Sequence, residues 1–118
     1  MHSLYLHIPF CAARCPFCDF AISTAPASDR FAEALKREIQ AWGGRLGHPA
    51  LSTLHLGGGT PSLPAADWTK GILDAVKEAF SLAPDAEVAL ECNPGDENAD
   101  AGKMAAWRGM GVNRLSIG

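Results

Sequence analysis

The sequence has no apolar run approaching the ~20 residues of a membrane-spanning helix. Polar residues and cysteines interrupt its N-terminus at once, so it has no signal-peptide layout. These absences make the cytoplasm the expected location. Strong charge is missing too. A formal net charge of −3 and a pI near 5.7 give no reason to expect nucleic acid or an anionic membrane as the main partner. No low-complexity tract occurs, and neither a P-loop nor G-x-G-x-x-G is present, so a nucleotide triphosphate site is not indicated. What remains is globular in character, with 47% apolar and 19% charged residues among 118, enough for one small domain or part of a larger one.

Cysteine is scarce but concentrated. Of four cysteines, three lie in Cys11-Ala12-Ala13-Arg14-Cys15-Pro16-Phe17-Cys18, spaced C-x3-C-x2-C, and the fourth is the distant Cys92. In a cytoplasmic setting such a cluster points to metal or redox chemistry rather than to disulfides. Three local thiolates suit a [4Fe–4S] cluster with one iron left open to a substrate or cofactor. The competing reading is structural zinc completed by His7 or Cys92, although zinc favours a second C-x2-C pair that this sequence lacks. A redox-active Cys15–Cys18 pair would need a thioredoxin-like context, which is absent. Cys92 reads as a small buried apolar residue.

Hydrophobic periodicity places strands at Ser3–Ile8, Thr53–Leu56, Glu87–Cys92 and Asn113–Ile117. Between them it places helices at about Asp29–Trp42, Pro64–Phe80 and Ala99–Arg108. Gly43-Gly44 is the expected stop of the first helix, and Asn98 a candidate cap for the third. Leu46–Leu51 reads as a loop, and the apolar helix faces, with Trp42, Trp68 and Trp107, read as core. This alternation predicts an α/β fold of parallel βαβ units with four strands and three helices. The last strand reaches Gly118 without a following helix to cover it, so residues 1–118 are expected to be the front portion of a longer domain.

The unusual motifs all follow predicted strands: the cysteines, then Gly57-Gly58-Gly59-Thr60-Pro61, then Glu91-Cys92-Asn93-Pro94. Active sites of parallel barrels assemble at those carboxyl ends. The glycines allow close backbone approach, and their N–H groups are candidates for binding a carboxylate or phosphate; alone, such a run is more often only a flexible turn. Glu91 is placed to accept a hydrogen bond from a ribose or an ammonium group, or else to be a solvated strand-end acid. His7 takes no firm role.

These residues resemble a known family. Tyr5-Leu6-His7-Ile8-Pro9-Phe10-Cys11 with Cys15 and Cys18 is similar to the start of radical S-adenosylmethionine (SAM) proteins. More narrowly, the chain resembles the oxygen-independent coproporphyrinogen III oxidases and their heme-chaperone branch, HemW. Gly57-Gly58-Gly59-Thr60-Pro61-Ser62, Glu91-Cys92-Asn93-Pro94-Gly95 and Gly111-Val112-Asn113-Arg114-Leu115-Ser116-Ile117-Gly118 follow in the family's order. The resemblance implies the N-terminal part of a partial TIM barrel, incomplete here and not expected to turn over substrate alone. It implies a [4Fe–4S] cluster on Cys11, Cys15 and Cys18, with SAM on the open iron. It further implies that SAM is contacted by Tyr5, Phe17, Gly58, Gly59, Thr60 and Glu91.

The implied chemistry is one-electron reduction of SAM to methionine and a 5′-deoxyadenosyl radical. In the oxidase branch that radical initiates decarboxylation of coproporphyrinogen III. In the HemW branch, heme is bound and delivered. An electron donor protein and, for HemW, a heme-acceptor protein are the implied partners. One departure separates the branches. The oxidases carry a further cysteine two positions after the third ligand, where this chain has Phe20 after Asp19. The expected function is therefore that of a HemW-like heme chaperone, with the oxidase as the alternative.

Overall fold

Alternation along β1 (His2–Ile8) sets the two faces of the sheet, because Leu6 and Ile8 are buried while Tyr5 is exposed. The computed structural model describes residues 2–10, 28–92 and 101–117. After β1 come α1 (Asp29–Arg45), β2 (Ala50–Gly58) and α2 (Ala66–Ala79). They are followed by β3 (Ser81–Cys92), α3 (Ala101–Met110) and β4 (Arg114–Ile117). The four strands form one parallel sheet in the order β1-β2-β3-β4, as the βαβ alternation predicts.

Leu6, Leu56, Leu90 and Leu115 fall in one register row across the sheet. That row and its neighbours Ile8, Leu54 and Val88 join Ile39 of α1, Ile72 and Val76 of α2, and Trp107 of α3 in a single core. Burying an aliphatic side chain of this size contributes about 1.5–3 kcal/mol. The alternate residues Tyr5, His7, His55, Glu87 and Glu91 lie on the opposite face. All of these remain at least partly exposed.

Several boundaries differ from the sequence expectation. Helix α1 does not stop at Gly43-Gly44 but runs through both to Arg45. The reason is packing. A Cβ on Gly43 would lie 2.5 Å from the Ala79 carbonyl oxygen and 2.7 Å from its Cβ, so the glycine lets α1 and α2 approach closely. Gly43, not Trp42, faces α2. Trp42 is 46% exposed and carries the Arg45 guanidinium 5.0 Å from its ring centroid, so it is not a core residue. Trp107 is fully buried as expected, and Trp68 is half-buried.

Strand β2 begins at Ala50 rather than Thr53. Strand β3 begins at Ser81 rather than Glu87, because Ala50 and Leu51 pair with Ser81 and Leu82. The ladder then breaks and resumes at Thr53 with Glu87, leaving Pro84, which has no N–H to give, in the irregular stretch. Asn113 is not in β4. Its side chain bonds the β3 backbone instead, donating to the Ala86 carbonyl at 2.9 Å and accepting from the Val88 N–H at 2.8 Å. Helix α3 extends past Gly109 to Met110, and the candidate cap Asn98 lies outside the described residues.

The glycine pair gives a clean test of this packing. Gly43→Ala is expected to destabilise the protein by about 1–3 kcal/mol, because backbone of α2 occupies the space. Gly44→Ala meets nothing within 4 Å and is expected to stabilise by about 0.4–1 kcal/mol. Denaturant midpoints of the two variants should move in opposite directions.

Candidate functional site

The glycine strip is built as an extension of the sheet. The Gly59 N–H donates to the Ile8 carbonyl at 2.8 Å, and the Thr60 N–H donates to the Phe10 carbonyl at 2.7 Å. Both groups are thus engaged in the ladder and do not form the open anion nest that a glycine run suggests. Their effect is to fix the backbone of Ile8–Phe10, which leads directly into Cys11. Thr60 itself is buried.

The other end of the cysteine segment is held nearby. Ser28 caps α1 by accepting the Phe31 N–H at 3.1 Å, and its carbonyl accepts the Trp68 Nε1–H at 3.0 Å. Phe10 packs edge-on against Phe31, with centroids 5.1 Å apart, and Trp68 stacks on Phe31 at 6.2 Å. Residues 10 and 28 therefore converge on one aromatic cluster. Cys11, Cys15, Cys18 and Phe17 lie outside the described residues. Cys92 sits in the core on the helix-covered side of β3, the environment expected of a small apolar residue.

Three polar side chains converge where β1, β2 and β3 end. The His55 ring stacks on Tyr5, its register partner, with centroids 5.5 Å apart and planes 14° from parallel. His55 Nε2 lies 3.0 Å from Glu91 Oε1. Because a carboxylate only accepts, that nitrogen carries the proton. The space between them is kept by Gly57. A Cβ there would collide with Glu91 Oε1 and lie 2.8 Å from Tyr5 Oη. Partial desolvation, with a further contribution from the Glu91 charge, holds the Tyr5 phenol above its usual pKa; like any phenol it is protonated at neutral pH and can donate a hydrogen bond.

Gly58 solves a different problem. Its φ of +109° is a backbone conformation that side chains oppose, and a Cβ would lie 2.7 Å from the His7 ring. On the far side of the strip, Lys103 of α3 donates to the Ser62 carbonyl at 2.5 Å and the Leu63 carbonyl at 3.3 Å, tying the loop exit to a helix.

Of the sequence-nominated residues, Tyr5, Gly58, Gly59, Thr60 and Glu91 are thus brought to the same end of the sheet. His55 was missed, although its two-residue spacing from Gly57 puts it on the face of Tyr5 and Glu91.

Residues 5–118 match the Radical SAM superfamily. The chain belongs to that superfamily. Its relatives include the heme chaperone HemW of Mycobacterium tuberculosis (strain ATCC 25618 / H37Rv), 41% identical over 98% of this chain and 30% of the relative. HemW of Escherichia coli (strain K12) is 37% identical over 98% of this chain and 31% of its own length. The mitochondrial radical S-adenosyl methionine domain-containing protein 1 of Bos taurus is 38% identical, over 98% and 26%. This radical SAM chain therefore spans about 30% of the length of the HemW proteins it matches.

Among solved structures, the coproporphyrinogen III oxidase HemN of Escherichia coli, described as a radical SAM enzyme, matches with a TM-score of 0.88 at 31% identity. The match covers 98% of this chain and 27% of HemN. The expected fold, four parallel strands and three helices of a radical SAM domain, is the one found. Among the described residues, no helix is long and apolar enough to cross a membrane.

Proposed function

We propose that this chain is the cluster- and SAM-binding portion of a heme-handling protein of the HemW type. In this reading Cys11, Cys15 and Cys18 hold a [4Fe–4S] cluster. Tyr5, Phe17, Gly58, Gly59, Thr60 and Glu91 surround SAM. Such a cluster, when bound, supplies the electron for reductive cleavage of SAM.

The described residues suit that ligand. Gly57 leaves room for the Glu91 carboxylate and the Tyr5 hydroxyl to approach each other over β2, where any side chain would displace them. Glu91 Oε1 is engaged by His55, while Oε2 has no hydrogen-bond partner among the described residues and is available to a hydroxyl or ammonium group. The neutral Tyr5 phenol adds a donor. With the Gly59 and Thr60 N–H groups committed to the Ile8 and Phe10 carbonyls, these two donors are not offered to a carboxylate, and the strip's part in this reading is close backbone approach.

The choice of heme delivery rests on the 37–41% identity to proteins named heme chaperone HemW, together with Phe20 at the place of the oxidases' extra cysteine. The partners in this reading are heme, an electron donor protein and a heme-acceptor protein, in the cytoplasm. The likeness to HemN supports a second reading, decarboxylation of coproporphyrinogen III. Anaerobic assay of the full-length protein separates the two. Stoichiometric heme uptake and transfer without decarboxylated porphyrinogen is expected; formation of protoporphyrinogen would replace the chaperone reading with the oxidase.

A further inference from the structure

His55 lies two residues before the glycine strip and is absorbed by none of the assignments above. It touches both polar side chains of the cradle at once. Its ring stacks on Tyr5 of β1, and its Nε2 lies 3.0 Å from Glu91 Oε1 of β3. The side chains of His55 and Glu91 are 37% and 39% exposed, so their pairing contributes little to folding. Its consequence is orientation. A glutamate at a strand end has three rotatable bonds, and fixing one carboxylate oxygen leaves the other presented in a defined place.

We propose that His55 is a positioning residue for the SAM site, holding Glu91 by Oε1 so that Oε2 meets the ligand, and fixing the Tyr5 ring by stacking. The proposal rests on the reading of Glu91 as a SAM contact. It adds a member that touches the ligand only through its neighbours. Ordering Glu91 before binding removes an entropic cost that the ligand would otherwise bear. The Nε2–H donor is the essential feature, and the imidazole charge is not required.

An isosteric pair separates donor from ring. Glutamine places an amide N–H near the position of histidine Nε2, and asparagine does not reach it. The measurement is the SAM dissociation constant of the anaerobically reconstituted full-length protein, with thermal midpoints as the check on folding. His55→Asn is expected to weaken SAM binding about tenfold, the effect of losing a hydrogen bond to a charged group. His55→Gln should recover to within about threefold of wild type. His55→Asn should cost little more when added to Glu91→Gln, because both break the same arrangement.

Unchanged affinity in His55→Asn while Glu91→Gln binds weakly would overturn the positioning role alone. So would additive losses, or a glutamine variant as weak as the asparagine one. Unchanged affinity in Glu91→Gln would overturn the SAM-contact reading and this proposal with it.

Discussion

Gly57→Ala is expected to leave the protein folded while lowering SAM cleavage about a hundredfold, the scale of a misplacement near 1 Å. The added methyl group would not meet backbone from another strand. It would meet the carboxylate of Glu91 and the hydroxyl end of Tyr5, side-chain ends that can swing away. Stability should therefore change by less than about 1 kcal/mol, while the two groups proposed to face the cofactor are displaced. Gly58→Ala makes the contrast. Its φ of +109° and the nearby His7 ring leave no inexpensive adjustment, so a loss of about 1–3 kcal/mol is expected there. Thermal denaturation and 5′-deoxyadenosine release by the full-length variants read the two effects separately. A Gly57→Ala protein with normal cleavage would place the cofactor elsewhere.

Replacing Cys11, Cys15 or Cys18 by serine is expected to have the largest effect, reducing bound iron and sulfide severely and SAM cleavage to background. A cluster with three protein thiolates has none to spare. The control is Cys92→Ala. Cys92 is packed with Val88 and Leu90 on the helix-covered side of β3, so its loss should cost about 1 kcal/mol of stability and leave iron content unchanged. If Cys92→Ala lost the metal as fully as the others, the zinc reading with Cys92 as a ligand would regain its place. Iron and sulfide assays on anaerobically purified variants, alongside their denaturation midpoints, distinguish these cases.

The order of elements was legible in the sequence because period-two and period-3.6 patterns are strong in Leu4–Ile8, Leu54–Leu56, Val88–Leu90 and the face of α2. What escaped was set by contacts between distant segments. Gly43 reads as a helix stop by propensity, yet tertiary packing against Ala79 makes it a helix interior residue. Trp42 fits the apolar stripe of α1 but is displaced from the core by that same close approach. Ser81 and Leu82 join β3 only because Ala50 and Leu51 lie beside them, which Pro84 obscures.

The site shows the same division. Tyr5, Gly58 and Glu91 were nominated from motifs, and parallel pairing explains why they lie at the same end of the sheet. The meaning of the Gly59 and Thr60 N–H groups was not readable, because it depends on Ile8 and Phe10 running alongside. His55 carries no motif of its own. Only its register opposite Tyr5 and its reach to Glu91 single it out.

The most direct test of a cluster-bearing radical SAM site is the iron, acid-labile sulfide and zinc content of the full-length protein purified without oxygen. Iron and sulfide in equal amounts, without zinc, is the result predicted. A single tetrahedral zinc with no sulfide would contradict the assignment of Cys11, Cys15 and Cys18 to an iron–sulfur cluster.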